Sequence, residues 1–311
     1  LDGRGRYDVT HDDAIQRNPW LRFVRCSADE VMVRHGSRSQ FMTSLRDDSR
    51  SGALATLLDA LATPRTLTEL QAVVPAAVAD DVSALVESLL EDGLVVPAGR
   101  TRADDYAAFM WHGPIDPDGV IAILGDGVVA DRVAGDLGSM GCSIRRTGDA
   151  HDDIVGALDG AGLAIAVADG LSPGHFFSVD AAARQSGTNW LPAYLEGSHG
   201  FVGPWIRPAV GPCFREVTTQ LEATAVKYAE YLAVRDHAPP HEETIVAAPH
   251  ASIIGGWAAA AALAAYGGAV PPLVGRIMIV DFERMGIDIA EAMRLPRCPV
   301  CDPQLPATVY G

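Results

Sequence analysis

The sequence is short of positive charge, of cysteine and of strongly apolar runs, and each shortage excludes something. Lys and Arg number 24 against 40 Asp and Glu, a net charge of −16. Binding to nucleic-acid phosphates is driven by basic surface and counterion release, so no nucleic-acid partner is expected. The five cysteines, Cys26, Cys142, Cys213, Cys298 and Cys301, are too few and odd in number for a disulfide-built secreted scaffold. Cys26 and Cys142 read as small buried hydrophobes. The longest apolar run, IIGGWAAAAALAAYGGAVPPLVG, is mostly Ala and Gly and is interrupted by Pro271 and Pro272. Ala and Gly supply little transfer energy, so it is a poor membrane span. The opening LDGRGRYDVTHDD is polar and acidic, without the apolar centre of a signal peptide. A cytoplasmic protein with no membrane partner is expected.

What is present is an ordinary globular chain. Of its 311 residues, 48% are hydrophobic and 21% charged, and a length of that order suggests two domains. Residues 1–18 read as a polar lead. LRFVRCS, EVMVRHG and SQFMTSL each alternate apolar and polar residues, the pattern of three short antiparallel strands. SGALATLLDALATP has helical spacing ended by Pro64, and Thr66 with Glu69 has capping-box spacing before a second helix. PAAVADDVSALVESLLEDGLVV predicts a third helix with Val82, Leu85, Val86 and Leu89 on one face, closed by Gly93 and a short strand. Three strands followed by three helices make residues 19–100 a winged helix-turn-helix-like module. Its third helix carries Asp80, Asp81, Glu87, Glu91 and Asp92 and no cation, which argues locally against DNA. Residues 101–118 read as a linker rich in proline and acidic residues.

Residues 119–311 form the second expected domain, an α/β Rossmann-type fold with a mainly parallel sheet. Strand and helix patterns alternate from Val120 onward, which implies helices on both faces. Gly125-x-Gly127-x-x-Ala130 lies between a strand and a helix, a variant of the dinucleotide fingerprint, and Asp149 follows at the distance of a ribose-binding acid. Asp169, at the end of the next buried strand, reads either as a metal ligand or as a strand-end turn residue. Nucleotide binding at this turn is not expected. No Lys, Arg, Asn or Gln follows Asp149 before the next strand, and Asp152 and Asp153 put negative charge where a triphosphate would lie. Residues 213–234 predict one long helix, and RIMIVDF a further strand.

Four features in order, the ILGDGVVADRVAGDLGSMGC turn, the strand ending at Asp169, GFVGPWIRPAVGPCFRE and the terminal RCPVCDP, resemble the ThiF-like, ubiquitin-activating-type adenylation fold. With the module ahead of it, the layout resembles the ocin-ThiF-like proteins of azole-forming (thiazole/oxazole, thiopeptide) peptide biosynthesis. In that family a RiPP precursor recognition element is fused to a ThiF-like domain and works with a YcaO cyclodehydratase. The resemblance implies that an extended leader peptide adds to the edge of the third strand, beside the third helix. The implied contacts are Gln40, Phe41, Met42, Thr43, Ser44 and Leu45 on the strand and Val82, Leu85, Val86 and Leu89 on the helix. Arg34, Arg38 and Arg46 either meet acidic leader residues or are solvated edge charges. The resemblance also implies a structural zinc site. Cys298 and Cys301 match one of the family's cysteine pairs, and Cys213 begins the other, with Glu216 where its second Cys belongs. The alternative is reduced thiols or a local 298–301 disulfide. The expected function is that of a non-catalytic adaptor, with a homodimer through the small-residue helix as its assembly. The alternative is an active ATP-dependent enzyme that adenylates a peptide or carrier C-terminus.

Overall fold

A computed structural model resolves the chain into two compact units, Leu1–Ile115 and Asp116–Gly311. The structure describes residues 10, 12–38, 42–111, 119–170, 172–208, 210–225, 227–237 and 245–301, with the side chains of 234–237 excepted.

The first unit opens with β1 (Ile15–Arg17), followed by β2 (Arg22–Arg25), β3 (Glu30–Arg34) and β4 (Met42–Arg46). α1 (Ala53–Ala60), α2 (Leu67–Val73), a 3₁₀ turn (Ala76–Asp81) and α3 (Val82–Glu91) follow, then β5 (Val95–Pro97) and α4 (Arg102–Trp111). β2, β3 and β4 form an antiparallel sheet in that order, and β1 pairs antiparallel with β5. Val31 and Val33 turn one face of the sheet into a core shared with Leu54, Leu57 and Leu58 of α1 and Val82, Val86 and Leu89 of α3. The expected capping box forms: Thr66 Oγ1 accepts the Glu69 N–H, and Glu69 accepts the Thr66 N–H.

Three expectations for this unit are corrected. The lead is not wholly irregular, because Ile15 is completely buried and β1 is hydrogen-bonded to β5. A three-residue strand is too short to leave an alternation in the sequence. The linker contains α4, which buries Ala103, Ala107, Ala108 and Phe109 against the unit. Thr101 and Asp104 cap it reciprocally, with Thr101 N–H to Asp104 Oδ2 at 3.0 Å and Asp104 N–H to Thr101 Oγ1 at 3.1 Å. The third helical segment starts as a 3₁₀ turn after Pro75, and the α-helix proper begins at Val82. Buried Asn18 locks these pieces together. Its side-chain amide donates to Gly93 O at 3.0 Å and to Asp105 O at 2.7 Å.

The second unit alternates β6 (Val120–Leu124), α5 (Val128–Ser139), β7 (Ser143–Thr147), α6 (His151–Leu158), β8 (Ala161–Ala168), α7 (Pro173–Ser186) and β9 (Trp190–Glu196). β10 (His199–Val202), α8 (Phe214–Ala223), α9 (Tyr228–His237), α10 (Ala248–Tyr266), β11 (Arg276–Asp281) and β12 (Gly286–Glu291) complete it. One seven-stranded sheet runs β12-β11-β10-β9-β8-β6-β7. β7, β6, β8 and β9 are mutually parallel, and the three strands beyond β9 alternate in direction. α10 packs on α5 and across β8, β9 and β10. The approach is close: a Cβ on Gly200 of β10 would stand 2.3 Å from Ile254 Cδ1 of α10. α10 is long and apolar enough to cross a membrane by composition, but half of that stretch is buried inside this unit.

The single helix expected over 213–234 is two helices, α8 ending at Ala223 and α9 starting at Tyr228. The β-branched residues around Thr224 fall at the break, where helix propensity is weak. β10 and β12 were not anticipated. β10 is four residues long and contains glycine, which hides its alternation.

Candidate functional site

The glycine turn after β6 is shaped as a nucleotide turn and filled by the chain itself. Gly125 and Gly127 have φ of 113° and 103°, in the region that favours glycine. A Cβ at Gly125 would lie 2.3 Å from Val167 O, and one at Gly127 would lie 2.3 Å from Asp169 Oδ2. Ala130 is fully buried in the first turn of α5. Asp169 follows β8 directly. Its Oδ2 accepts the Val128 N–H at 2.7 Å and its Oδ1 the Val129 N–H at 2.9 Å. These are the first N–H groups of α5, the donors a helix N-terminus offers to a bound phosphate.

The surroundings are acidic. Asp126 and Asp149 are exposed beside the turn, and Asp152 and Asp153 occupy the first turn of α6. The nearby cations are committed elsewhere. Arg145 donates to the carbonyls of Ala157 and Asp159 at the end of α6, and Arg146 pairs with Asp131 at 2.9 Å. The chain's one lysine, Lys227, lies between α8 and α9. Behind the turn, buried His175 places Nε2 3.2 Å from Leu124 O. Its Nδ1 is buried without a hydrogen bond among the described residues. Burial holds this imidazole below its ordinary pKa, against the opposing pull of Leu124 O, Asp149 and Asp126. Sequence reasoning did not single out His175; its place in the first turn of the helix after β8 was the available signal.

The structure brings Cys213, Glu216, Cys298 and Cys301 together, with their ligand atoms all within 4.8 Å of one another, a group that can hold a metal ion. Cys213 is the N-cap of α8, and Glu216, at the third helical position, turns back to accept the Cys213 N–H at 2.8 Å. The other carboxylate oxygen accepts the Leu295 N–H at 2.8 Å, which fastens the segment carrying Cys298 and Cys301 to α8. Cys213 and Cys298 sulfurs are 3.6 Å apart, and Cys301 Sγ lies 3.4 Å from Glu216 Oε2. Arg184, ion-paired with buried Asp180, donates to Cys301 Sγ at 3.6 Å. Burial pushes the Cys213 and Cys301 thiols up from their ordinary range. A cation bound among them would reverse that preference and favour thiolates. All five cysteines are free; Cys142 is buried as expected, whereas Cys26 is exposed at the end of β2.

On the first unit, β4 pairs with β3 alone, so among the described residues its other edge has no strand partner. Thr43 and Leu45 are half-buried on the core side, and Met42 and Ser44 are exposed on the other. Gln40 and Phe41 lie outside the described residues. Val82, Val86 and Leu89 are buried in the unit's own core, which leaves Leu85 as the half-buried member of the helical stripe. Arg46 is engaged with Glu30 at 3.3 Å, and Arg38 is exposed. Arg34 stands opposite Arg22 on the outer face of the sheet, a like-charged pair that the sequence reading did not register.

No family model matches the sequence, and no curated protein does. Solved structures do. The heterocyclase TruD matches with a TM-score of 0.64 at 15% identity, over 93% of this chain and 43% of that one. A heterocyclase in complex with substrate and cofactor matches at 0.66 and 16%, over 93% and 39%. E. coli MccB matches at 0.54 and 12%, over 94% and 98%. The fold resembles all three. The chain spans about two fifths of the length of the heterocyclases and nearly the whole of MccB.

Proposed function

We propose that this chain is a ThiF-like, non-catalytic adaptor of ribosomal-peptide modification. It holds the leader peptide of a precursor on a winged-helix recognition element and presents the core to a separate YcaO cyclodehydratase for azoline formation. Holding both on one scaffold raises the effective concentration of core Cys, Ser and Thr side chains at that enzyme without chemistry here. The reading draws support from the neighbours. One heterocyclase is solved with substrate and cofactor, and the microcin C7 biosynthetic enzyme MccB with N-formylated MccA. A cytoplasmic setting and a homodimer through α10 belong to the same proposal.

The observation that carries the non-catalytic half is the Asp169 carboxylate on the Val128 and Val129 N–H groups. An adenylating site needs those donors, and a metal ligand, turned toward a triphosphate. The edge of β4 that has no strand partner among the described residues supports the peptide-binding half, with Leu45 on that strand and Leu85 on α3 as partly buried apolar residues packed against the unit's core. Cys213, Glu216, Cys298 and Cys301 would hold a structural zinc, whose chemistry is to cross-link α8 to the terminal segment. Three sulfurs and a carboxylate oxygen are within zinc's ligand range.

The test is fluorescence anisotropy of a labelled leader peptide, taken from a precursor encoded beside this chain, with the full-length protein. Leu45→Glu and Leu85→Glu should each weaken binding about tenfold or more, measured at a temperature where the melting curve shows each variant folded. Saturable binding that neither variant alters would overturn strand addition at β4. ATP–pyrophosphate exchange dependent on Gly127 and Asp149 would overturn the adaptor reading in favour of an adenylating enzyme.

A further inference from the structure

The second unit contains a cavity of about 340 Å³ between β9, β10 and β11 and the helices α7, α8 and α9. Its wall is a continuous run of rings. Phe214 packs on Phe176 at 5.1 Å between centroids, Phe176 on Tyr194 at 5.2 Å, and Tyr194 stacks on Phe201 at 4.8 Å. Tyr231 of α9 also lines the space. A volume in this range, mostly apolar with a few polar groups, is the usual form of a small-ligand site.

Its charged groups are mainly carboxylates. Glu196, at the end of β9, lines the cavity, and neither Lys nor Arg does so among the described residues. His199, three residues on, is the basic group among the described lining residues. Glu196 is half-buried and makes no hydrogen bond or ion pair with any described residue. Burial raises its pKa, so its charge is held at a cost, and His199 is the group that opposes the shift. The Tyr194 hydroxyl, beside Glu196 and Tyr231, also has no hydrogen bond among the described residues. An anion entering here meets the half-buried Glu196 carboxylate and, among the described residues, no Lys or Arg. A cation meets Glu196 and the negative faces of the rings.

We infer that this cavity binds a primary ammonium group carried on an apolar body about the size of a benzene ring. The ammonium sits against Glu196 and the aromatic body between Phe176, Tyr194 and Phe201. The site is independent of leader binding at β4 and of the turn closed by Asp169. A free arylalkylamine and the N-terminus of a peptide that begins with an aromatic residue share this chemistry.

Calorimetric titration of the full-length chain separates the sources. The probes are 2-phenylethylamine, its neutral counterpart 2-phenylethanol, and the peptide Phe-Gly-Gly-amide with and without N-acetylation. The amine should bind about tenfold more tightly than the alcohol, the strength of a desolvated ammonium on carboxylate and rings. Glu196→Gln should abolish that preference while the melting curve is unchanged, and Ala225→Phe, which adds a ring at a lining residue, should abolish binding of both. A free-amine site shows this pattern with 2-phenylethylamine alone; a peptide site shows it also with the unacetylated peptide. Equal affinity for amine and alcohol, no binding of either, or an amine affinity untouched by Glu196→Gln overturns the assignment.

Discussion

Asp169 Oδ2 lies 2.7 Å from the main-chain nitrogen of Val128, so the N-terminus of α5 already holds an anion that belongs to the chain. Removing that carboxylate leaves two helix donors unsatisfied. Asp169→Ala is expected to cost about 1–2 kcal/mol, the range of a lost charged N-cap. Sulfate should restore part of this loss in the variant and change the parent protein much less. Thermal melting with and without sulfate checks both. A parent protein whose melting temperature rises steeply with ATP and Mg²⁺ would show that Asp169 yields its place to nucleotide.

Glu216 is both a clamp and a ligand candidate, and substitutions separate the two roles. The full-length chain is expected to carry about one zinc per molecule by elemental analysis, and Cys298→Ala very little. Glu216→Cys completes a four-thiolate set and should retain zinc against a chelator longer than the parent. A parent devoid of zinc beside a loaded Glu216→Cys variant would assign Glu216 to the Cys213 and Leu295 N–H groups alone.

Asp105 gives the first unit a pH dependence. Its carboxyl is buried, and Oδ1 has no hydrogen bond among the described residues. Burial pushes its pKa up from 3.8 to about 6, with Arg100 pulling it down and Asp104 up. The folded state therefore favours the protonated acid. Its contribution to stability is complete below about pH 4 and is lost as pH rises through about 6. Asp105→Asn is expected to melt above the parent at pH 7.5, by about 1 kcal/mol once residual hydration is discounted. The difference should vanish near pH 4. A variant that melts below the parent at both values would mean that the carboxylate is satisfied when ionised.

What was legible in the sequence followed from periodicity and spacing. The β2–β4 sheet, the Thr66–Glu69 cap and the β6–α5 turn are local patterns, and the structure contains each of them. The Cys213, Glu216, Cys298 and Cys301 group joins positions some 85 residues apart, so spacing alone did not assemble it; the likeness to a family did. β1 and α4 were missed because pairing and packing across the unit decide them. Even so, Thr101 and Asp104 spell a helix start within the expected linker. The self-capping by Asp169 was beyond sequence reasoning: a strand-end aspartate reads alike whether it holds a metal or a helix. The helical stripe was read correctly as apolar, but its core-facing members are spent on folding. That division depends on the exact turn at which α3 begins.

Asn18 has a practical consequence for handling the protein. One side chain spans the carbonyls of Gly93 and Asp105, so the chain's entry and the exit helix α4 form a single fastening. A fragment cut at residues 19 and 100 discards β1, Asn18 and α4 together and exposes Phe109's place in the core. A piece spanning residues 12–111 keeps the fastening whole. Fusion partners and affinity tags are then best joined ahead of Asp12 or beyond Trp111, which leaves the Asn18 fastening in place.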